Sequence, residues 1–159
     1  MVTNKDIQAL NEFLENRNVN YVLTGTAALF YHGMLPENTD VHDIDIIVIT
    51  SNETRPALQA MFKELENLSG CQLDNEHYSS RVFVFKVGES NVKVNVFECN
   101  LDKESYPKHQ TVIVNSYPIQ VHDAMEVLKA KFALNREKDH LFFTRLICQL
   151  SKMFLCSKK

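Results

Sequence analysis

The stretch "GTAALFYHGMLPENTDVHDIDIIVIT", Gly25 to Thr50, decides how this chain reads. It opens with Gly25-Thr26 at the start of an apolar helical run and closes with Asp43-Ile44-Asp45 entering an apolar strand. Side chains two apart on a strand share a face, so Asp43 and Asp45 project together, with Ile47 and Ile49 carrying that face inward. Two like charges this close raise one another's pKa unless a cation sits between them. A hard divalent ion such as Mg²⁺ uses one or two carboxylates and fills its other positions with water and substrate phosphates. The competing account is a strand end exposing two solvated acids. Gly25-Thr26 supplies a second half. A strand that ends in Gly and opens a helix offers free backbone N–H groups and the positive helix end, a geometry that receives phosphate.

Working outward, residues 4–17 place Ile7, Leu10, Phe13 and Leu14 at helical spacing, with Asn4 as the expected N-cap. "NYVLTG" reads as a short buried strand, and a helix follows from Thr26 to about Tyr31, with Gly33 suited to its C-terminal cap. Asp43 to Thr50 is the next strand, and "ETRPALQAMFKELENL" an amphipathic helix with Pro56 in its first turn. "RVFVFKV" and "VKVNVFE", separated by "GESN", carry a β-hairpin signal. "TVIVN" and "PIQVH" are short strands, with Tyr117-Pro118 read as a turn. "DAMEVLKAKFAL", with Asp123 as its cap, and "EKDHLFFTRLICQLSKMFL" close the chain as helices. This order gives an α+β (α/β-like) fold: a small mixed β-sheet flanked by helices, with two C-terminal helices. One domain over 1–159 is expected, its core at about 1–121 and a helical segment at about 122–156.

The chain has 159 residues, 45% hydrophobic and 23% charged, which suits a globular domain with a real core. A net charge of −3 gives no support for a dedicated nucleic-acid binder. No apolar run is long enough for a membrane helix, and the N-terminus lacks a basic-then-apolar signal pattern. The four cysteines show neither CxxC nor zinc-like spacing, so free thiols in a reducing cytoplasm are expected. Residues 122–159 carry eight Lys/Arg against four Asp/Glu, whereas the rest carries nine against sixteen. A basic C-terminal segment folded over an acidic cluster would make a site for a metal and an anionic ligand. A solvated helical face is the simpler account.

Taken together, "LTGTAAL…DIDIIV" resembles the signature of the nucleotidyltransferase superfamily related to DNA polymerase β, in which a Gly-Ser pair and a D-x-D strand build the nucleotide site. "LKAKFALNREKDHLFFTRL" is similar to the Lys-rich helical end of the small bacterial members, which include abortive-infection toxin nucleotidyltransferases. The resemblance implies that Gly25 and Thr26 hold the triphosphate of an NTP and that Asp43 and Asp45 hold Mg²⁺ or Mn²⁺. It implies that Lys129 or Lys131 approaches the phosphates. The activity implied is transfer of an NMP group to a hydroxyl on a small molecule, a protein or an RNA end, with pyrophosphate released. A homodimer or a partner protein would complete the acceptor side.

The chain departs from that pattern in three places. Thr26 replaces the serine and keeps its hydroxyl. Thr39 and Val41 stand where relatives often carry Arg and Thr. Asn95, flanked by Val94 and Val96, stands where the family has a third catalytic carboxylate. An amide offers a carbonyl oxygen but cannot take a proton, and losing a general base costs ~10²–10⁴ in rate. Strand alternation turns Glu98 to the opposite face from Asn95, and turns His42 away from the acids. The other histidines (His32, His77, His109, His122, His140) show no ligand spacing and read mostly as surface residues. Phe142 and Phe143 read as core. Lys138-Asp139 reads equally as a surface ion pair or a ligand contact. Two functional classes follow: a Mg-dependent nucleotidyltransferase, and a degenerate one that binds nucleotide or a protein partner without turnover. A D-x-D glycosyltransferase fits less well, because such folds use a longer chain.

Overall fold

A computed structural model describes the backbone of residues 1–36, 39–69, 72–74, 80–87 and 90–157, and the side chains of 1–36, 39–64 and 92–153. The first helix, α1 (Asn4–Glu15), buries Ile7, Leu10 and Leu14 along one face, as their spacing requires. Its cap is Thr3 rather than Asn4. Thr3 and Asp6 exchange side-chain and backbone hydrogen bonds in a capping box, which satisfies two otherwise unpaired N–H groups. Asn4 already lies within the helix and accepts from Tyr31 Oη at 2.6 Å.

After α1 come β1 (Asn20–Thr24), α2 (Gly25–Tyr31), β2 (Asp43–Thr50), α3 (Arg55–Ser69) and β3 (Gln72–Asp74). The chain continues through β4 (Ser80–Val87), β5 (Ser90–Asn100), β6 (His109–Val114), β7 (Tyr117–His122), α4 (Ala124–Leu134) and α5 (Glu137–Ser157). The seven strands form one sheet in the order β3-β4-β5-β2-β1-β7-β6. Strands β2/β5 and β1/β7 run parallel and the other neighbours antiparallel, so the sheet is mixed and the fold is α+β.

One strand is added and two local readings of the sequence are revised. Strand β3 is only three residues long, too short for a period to show. Ser90 and Asn91 of "GESN" belong to β5, and Ser90 pairs with Val87; Gly88 and Glu89 lie outside the described residues. Tyr117-Pro118 opens β7, while the turn is Asn115-Ser116, with φ of 48° and 71°. Positive φ at both central residues matches the right-handed twist of a two-residue hairpin, and asparagine tolerates it well. Pro118, the second residue of β7, is tolerated at the strand's start.

The alternation along β2 divides the sheet into two faces. Ile44, Ile46 and Val48 join Val92, Val94 and Val96 of β5 in the main core, against Leu10 and Leu14 of α1 and Met61 and Phe62 of α3. Each such side chain contributes about 1.5–3 kcal/mol through burial. On the opposite face Val22, Ile49 and Cys99 make a smaller cluster, with Ile47 and Tyr106 packed against it. Beyond that cluster the second face opens toward Asp43 and Asp45, so β2 is not apolar-covered on both sides along its whole length. Phe142 packs against the main core, while Phe143 is half-buried and meets Phe132 edge-on. Cys99 and Cys148 are free thiols.

Candidate functional site

Strand register brings the site residues together. Thr24, the last residue of β1, is opposite Asp45 of the antiparallel β2, and Asp45 is opposite Asn95 of the parallel β5. β7 runs parallel to β1 with Leu23 beside Val121, which sets His122 next to Thr24. A transverse row, His122–Thr24–Asp45–Asn95, therefore crosses four strands. Asn95 Nδ2 donates to Asp45 Oδ1 at 2.6 Å, a charge-assisted contact with a partly buried carboxylate.

The other oxygen of Asp45 lies over Gly25. A Cβ at position 25 would meet Asp45 Oδ2 at 2.2 Å, and the Cβ and Cγ of Asp45 at 3.0 Å. Gly25 also has φ +66°, in the left-handed region that side chains rarely adopt. Glycine thus satisfies two demands at once, the turn from β1 into α2 and the close approach of the carboxylate. Burial raises the pKa of Asp45; the Asn95 hydrogen bond opposes the rise, the Asp43 charge adds to it, and Lys131 and Lys138 pull it back in part.

Thr26, one residue on, is reached from α4: Lys131 Nζ donates to Thr26 Oγ1 at 3.2 Å. Burial lowers the pKa of Lys131, with Asp139 and Asp45 opposing the fall. Lys129, the other lysine expected near the phosphates, lies apart from these groups. Two residues earlier on the helix, it is exposed, pairs with Glu126 at 3.4 Å, and does not line the cleft. The helical period of 3.6 separates the two lysines by more than half a turn, so only one of them can face the sheet.

These groups line one open cleft of about 820 Å³. Asp40, Asp43 and Asp45 lie on its β2 side, and Lys93, Lys131, Arg136 and Lys138 also line it. The basic C-terminal segment thus does reach the acidic cluster. Asp139 is taken up in an ion pair with Arg136. It is buried and accepts from Arg136, through Nε at 2.6 Å and Nη2 at 3.1 Å and from the backbone N–H, which secures the start of α5. Asn135, left-handed with φ 50°, ends α4 just before it. Asp123 caps α4 as expected, accepting from Glu126 N.

Glu98 is engaged elsewhere, accepting from Thr50 Oγ1 and Arg55 Nε at 2.9 Å each. His42 is exposed but lines the same cleft. His122 was not singled out by the sequence and lies half-buried in the cleft wall, its Nδ1 2.9 Å from Thr24 Oγ1. Lys93 and Arg136 were missed too. Only the parallel β1/β7 and β2/β5 pairings and the turn between the last helices bring these residues in, and local sequence carries no signal of them.

As a metal donor set, the site offers two carboxylates and one amide. Among the described residues no three His, Cys, Asp or Glu side chains gather as a metal-binding group. Neither Asp43 nor Asp45 has a cation within salt-bridge distance among those residues. Partly buried carboxylates with no ion-pair partner among the described residues fit an ion shared with substrate phosphates rather than one caged by protein.

No protein-family model matches the chain, and no curated protein does. Solved structures do. A nucleotidyltransferase-like antigenic protein from Paracoccidioides brasiliensis aligns with a TM-score of 0.60 at 14% identity, over 91% of this chain and 73% of that one. A putative nucleotidyltransferase from Thermotoga maritima aligns with a TM-score of 0.56 at 18% identity, over 94% and 96%. The lincosamide antibiotic adenylyltransferase LnuA, lincomycin-bound, aligns with a TM-score of 0.59 at 16% identity, over 91% and 96%. No helix among the described residues is long and apolar enough to cross a membrane. The likeness extends over nearly the whole chain, and what it carries is the architecture: this protein has the nucleotidyltransferase fold.

Proposed function

We propose that the protein binds an NTP with Mg²⁺ or Mn²⁺ and transfers its NMP group to a hydroxyl acceptor, releasing pyrophosphate. The observation that carries this is the convergence of the Asp43/Asp45 pair with Gly25, Thr26 and Lys131 in one cleft. Asp43 and Asp45 would hold the ion, which supplies neutralisation of triphosphate charge and polarisation of the reacting phosphoryl group. Lys131 would exchange its Thr26 hydroxyl contact for phosphate oxygens, with Lys93 and Lys138 adding to the positive field. Gly25, with no Cβ, lets the Asp45 carboxylate come up against the turn that would receive the phosphates. Such a site acts mainly by positioning and charge stabilisation. LnuA, an adenylyltransferase holding an antibiotic, supports a small-molecule hydroxyl as the acceptor class.

A second reading rests on the Asn95–Asp45 hydrogen bond. The amide donor occupies the carboxylate oxygen that would otherwise look for a cation, and Asn95 cannot accept a proton from an attacking hydroxyl. A protein that binds nucleotide without turnover is consistent with that substitution.

Calorimetric titration with each NTP, with and without Mg²⁺, tests the shared premise on wild type and on Asp43→Ala/Asp45→Ala. Metal-dependent binding lost in the double variant is expected; wild type that binds no NTP sinks both nucleotide readings. Turnover of labelled NTP by wild type separates enzyme from binding protein.

A further inference from the structure

We propose that His122 is a polyphosphate-contacting residue of the cleft, its Nε2 donating to an oxygen of the bound nucleotide's terminal phosphates. This inference rests on the nucleotide reading above. Two threonines bracket Gly25. Thr26 Oγ1 holds Lys131, and Thr24 Oγ1 holds His122 through Nδ1 at 2.9 Å. The lysine and the imidazole therefore flank the same turn, one on each side of the glycine that the Asp45 carboxylate approaches.

The backbone that carries the ring is held as well as the ring itself. His32 Nε2 lies 2.8 Å from the carbonyl oxygen of His122, and a carbonyl only accepts, so His32 is the donor. His122 Nε2 has no hydrogen-bond partner among the described residues, and the ring lines the cleft. A hydroxyl can donate as well as accept. With Thr24 donating to Nδ1, the neutral ring carries its proton on Nε2 and presents a donor to the cleft.

The charges around the ring determine what happens when phosphate arrives. Burial above all opposes the imidazolium, Glu126 of α4 and Asp123 at its cap favour it, and His109 of β6 and His32, just past α2, add to the opposition. His109 is itself turned to a backbone carbonyl, Pro107 O, at 2.9 Å. With the free cleft the balance lies toward neutral, its pKa held below the ordinary histidine value. A polyphosphate within hydrogen-bond reach adds the negative charge that reverses this, so nucleotide binding takes up a proton at His122.

The test is calorimetric binding of the nonhydrolysable α,β-methylene-ATP with Mg²⁺, in two buffers of different ionisation enthalpy, near pH 7 where histidine titrates. Wild type is expected to take up roughly half a proton or more on binding, a quantity a merely structural residue would not move. His122→Gln, which keeps a neutral donor near Nε2, should lose that uptake. It should bind about tenfold more weakly at about pH 6.5, with the gap narrowing as pH rises, as for the loss of one charge-assisted contact. Thr24→Val, which leaves the ring but removes its tether, should weaken binding in the same direction. Thermal melts check that both variants fold. Equal proton uptake and equal affinity in wild type and His122→Gln would overturn the proposal while leaving the nucleotide reading intact. Wild type that fails to bind at all would overturn both.

Discussion

Replacing Asn95 with aspartate is the sharpest perturbation of this site. In Asn95→Asp the donor 2.6 Å from Asp45 Oδ1 becomes an acceptor, and a third carboxylate joins Asp43 and Asp45. Losing a hydrogen bond to a charged group costs about 1.5–3 kcal/mol. Two unit charges about 4 Å apart repel by about 4 kcal/mol at an effective dielectric of 20, though a proton shared among the carboxylates relieves part of that. We expect a net destabilisation of about 3 kcal/mol near neutral pH in EDTA. For a chain of this size that corresponds to a fall in Tm of roughly 6–12 °C. Millimolar Mg²⁺ should restore most of the loss in the variant and shift wild type less, because only the variant brings three carboxylates to the ion. Thermal melts with EDTA and with Mg²⁺ read this directly. Labelled NTP turnover reads the functional side, where a restored base is expected to raise the rate by ~10²–10⁴. A variant with wild-type Tm in EDTA and no larger Mg²⁺ response would refute the reasoning, since the Asn95–Asp45 contact would then not govern the site.

Further outcomes follow from the same geometry. Asp45→Asn should raise Tm near neutral pH while abolishing metal-dependent NTP binding, because position 45 keeps an oxygen for Asn95 and loses a desolvated charge. The sign follows from linkage: a carboxyl whose folded pKa is raised stabilises fully below its unfolded pKa, and that contribution is lost as pH rises through the folded pKa. The Tm gain should therefore shrink as melts are taken down toward about pH 3.5, below the unfolded pKa. Lys131→Ala should weaken NTP binding at least tenfold by calorimetry, the loss expected for one charge-assisted contact, roughly 1.5–3 kcal/mol. Lys129→Ala, outside the cleft, should leave binding unchanged and stability within about 0.5 kcal/mol. Gly25→Ala should cost about 1–3 kcal/mol in denaturant melts, from the left-handed φ and the clash with Asp45. It should also lose NTP affinity by displacing that carboxylate.

The sequence alone determined most of the elements and one half of the candidate site. Apolar periodicity located α1, β1, β2 and the last two helices, and the two-residue spacing of Asp43 and Asp45 put both acids on one face, because local geometry fixes those relations. Gly25 was legible as a turn, but not as the residue whose missing Cβ admits the Asp45 carboxylate. Between Lys129 and Lys131 the sequence could not choose. That required knowing which face of α4 meets α2, and the Lys131–Thr26 contact spans 105 residues of chain. His122 looked like a surface histidine until the parallel pairing of β7 with β1 set it beside Thr24. Asn95 was visible as the odd residue in its strand, yet its hydrogen bond to Asp45 depends on a parallel register between strands fifty positions apart. Register and helix docking are chosen by the whole core, through burial of Ile44, Ile46, Val94 and their neighbours. What an isolated segment cannot encode, the tertiary structure decides: which polar side chains come to face one another across the cleft.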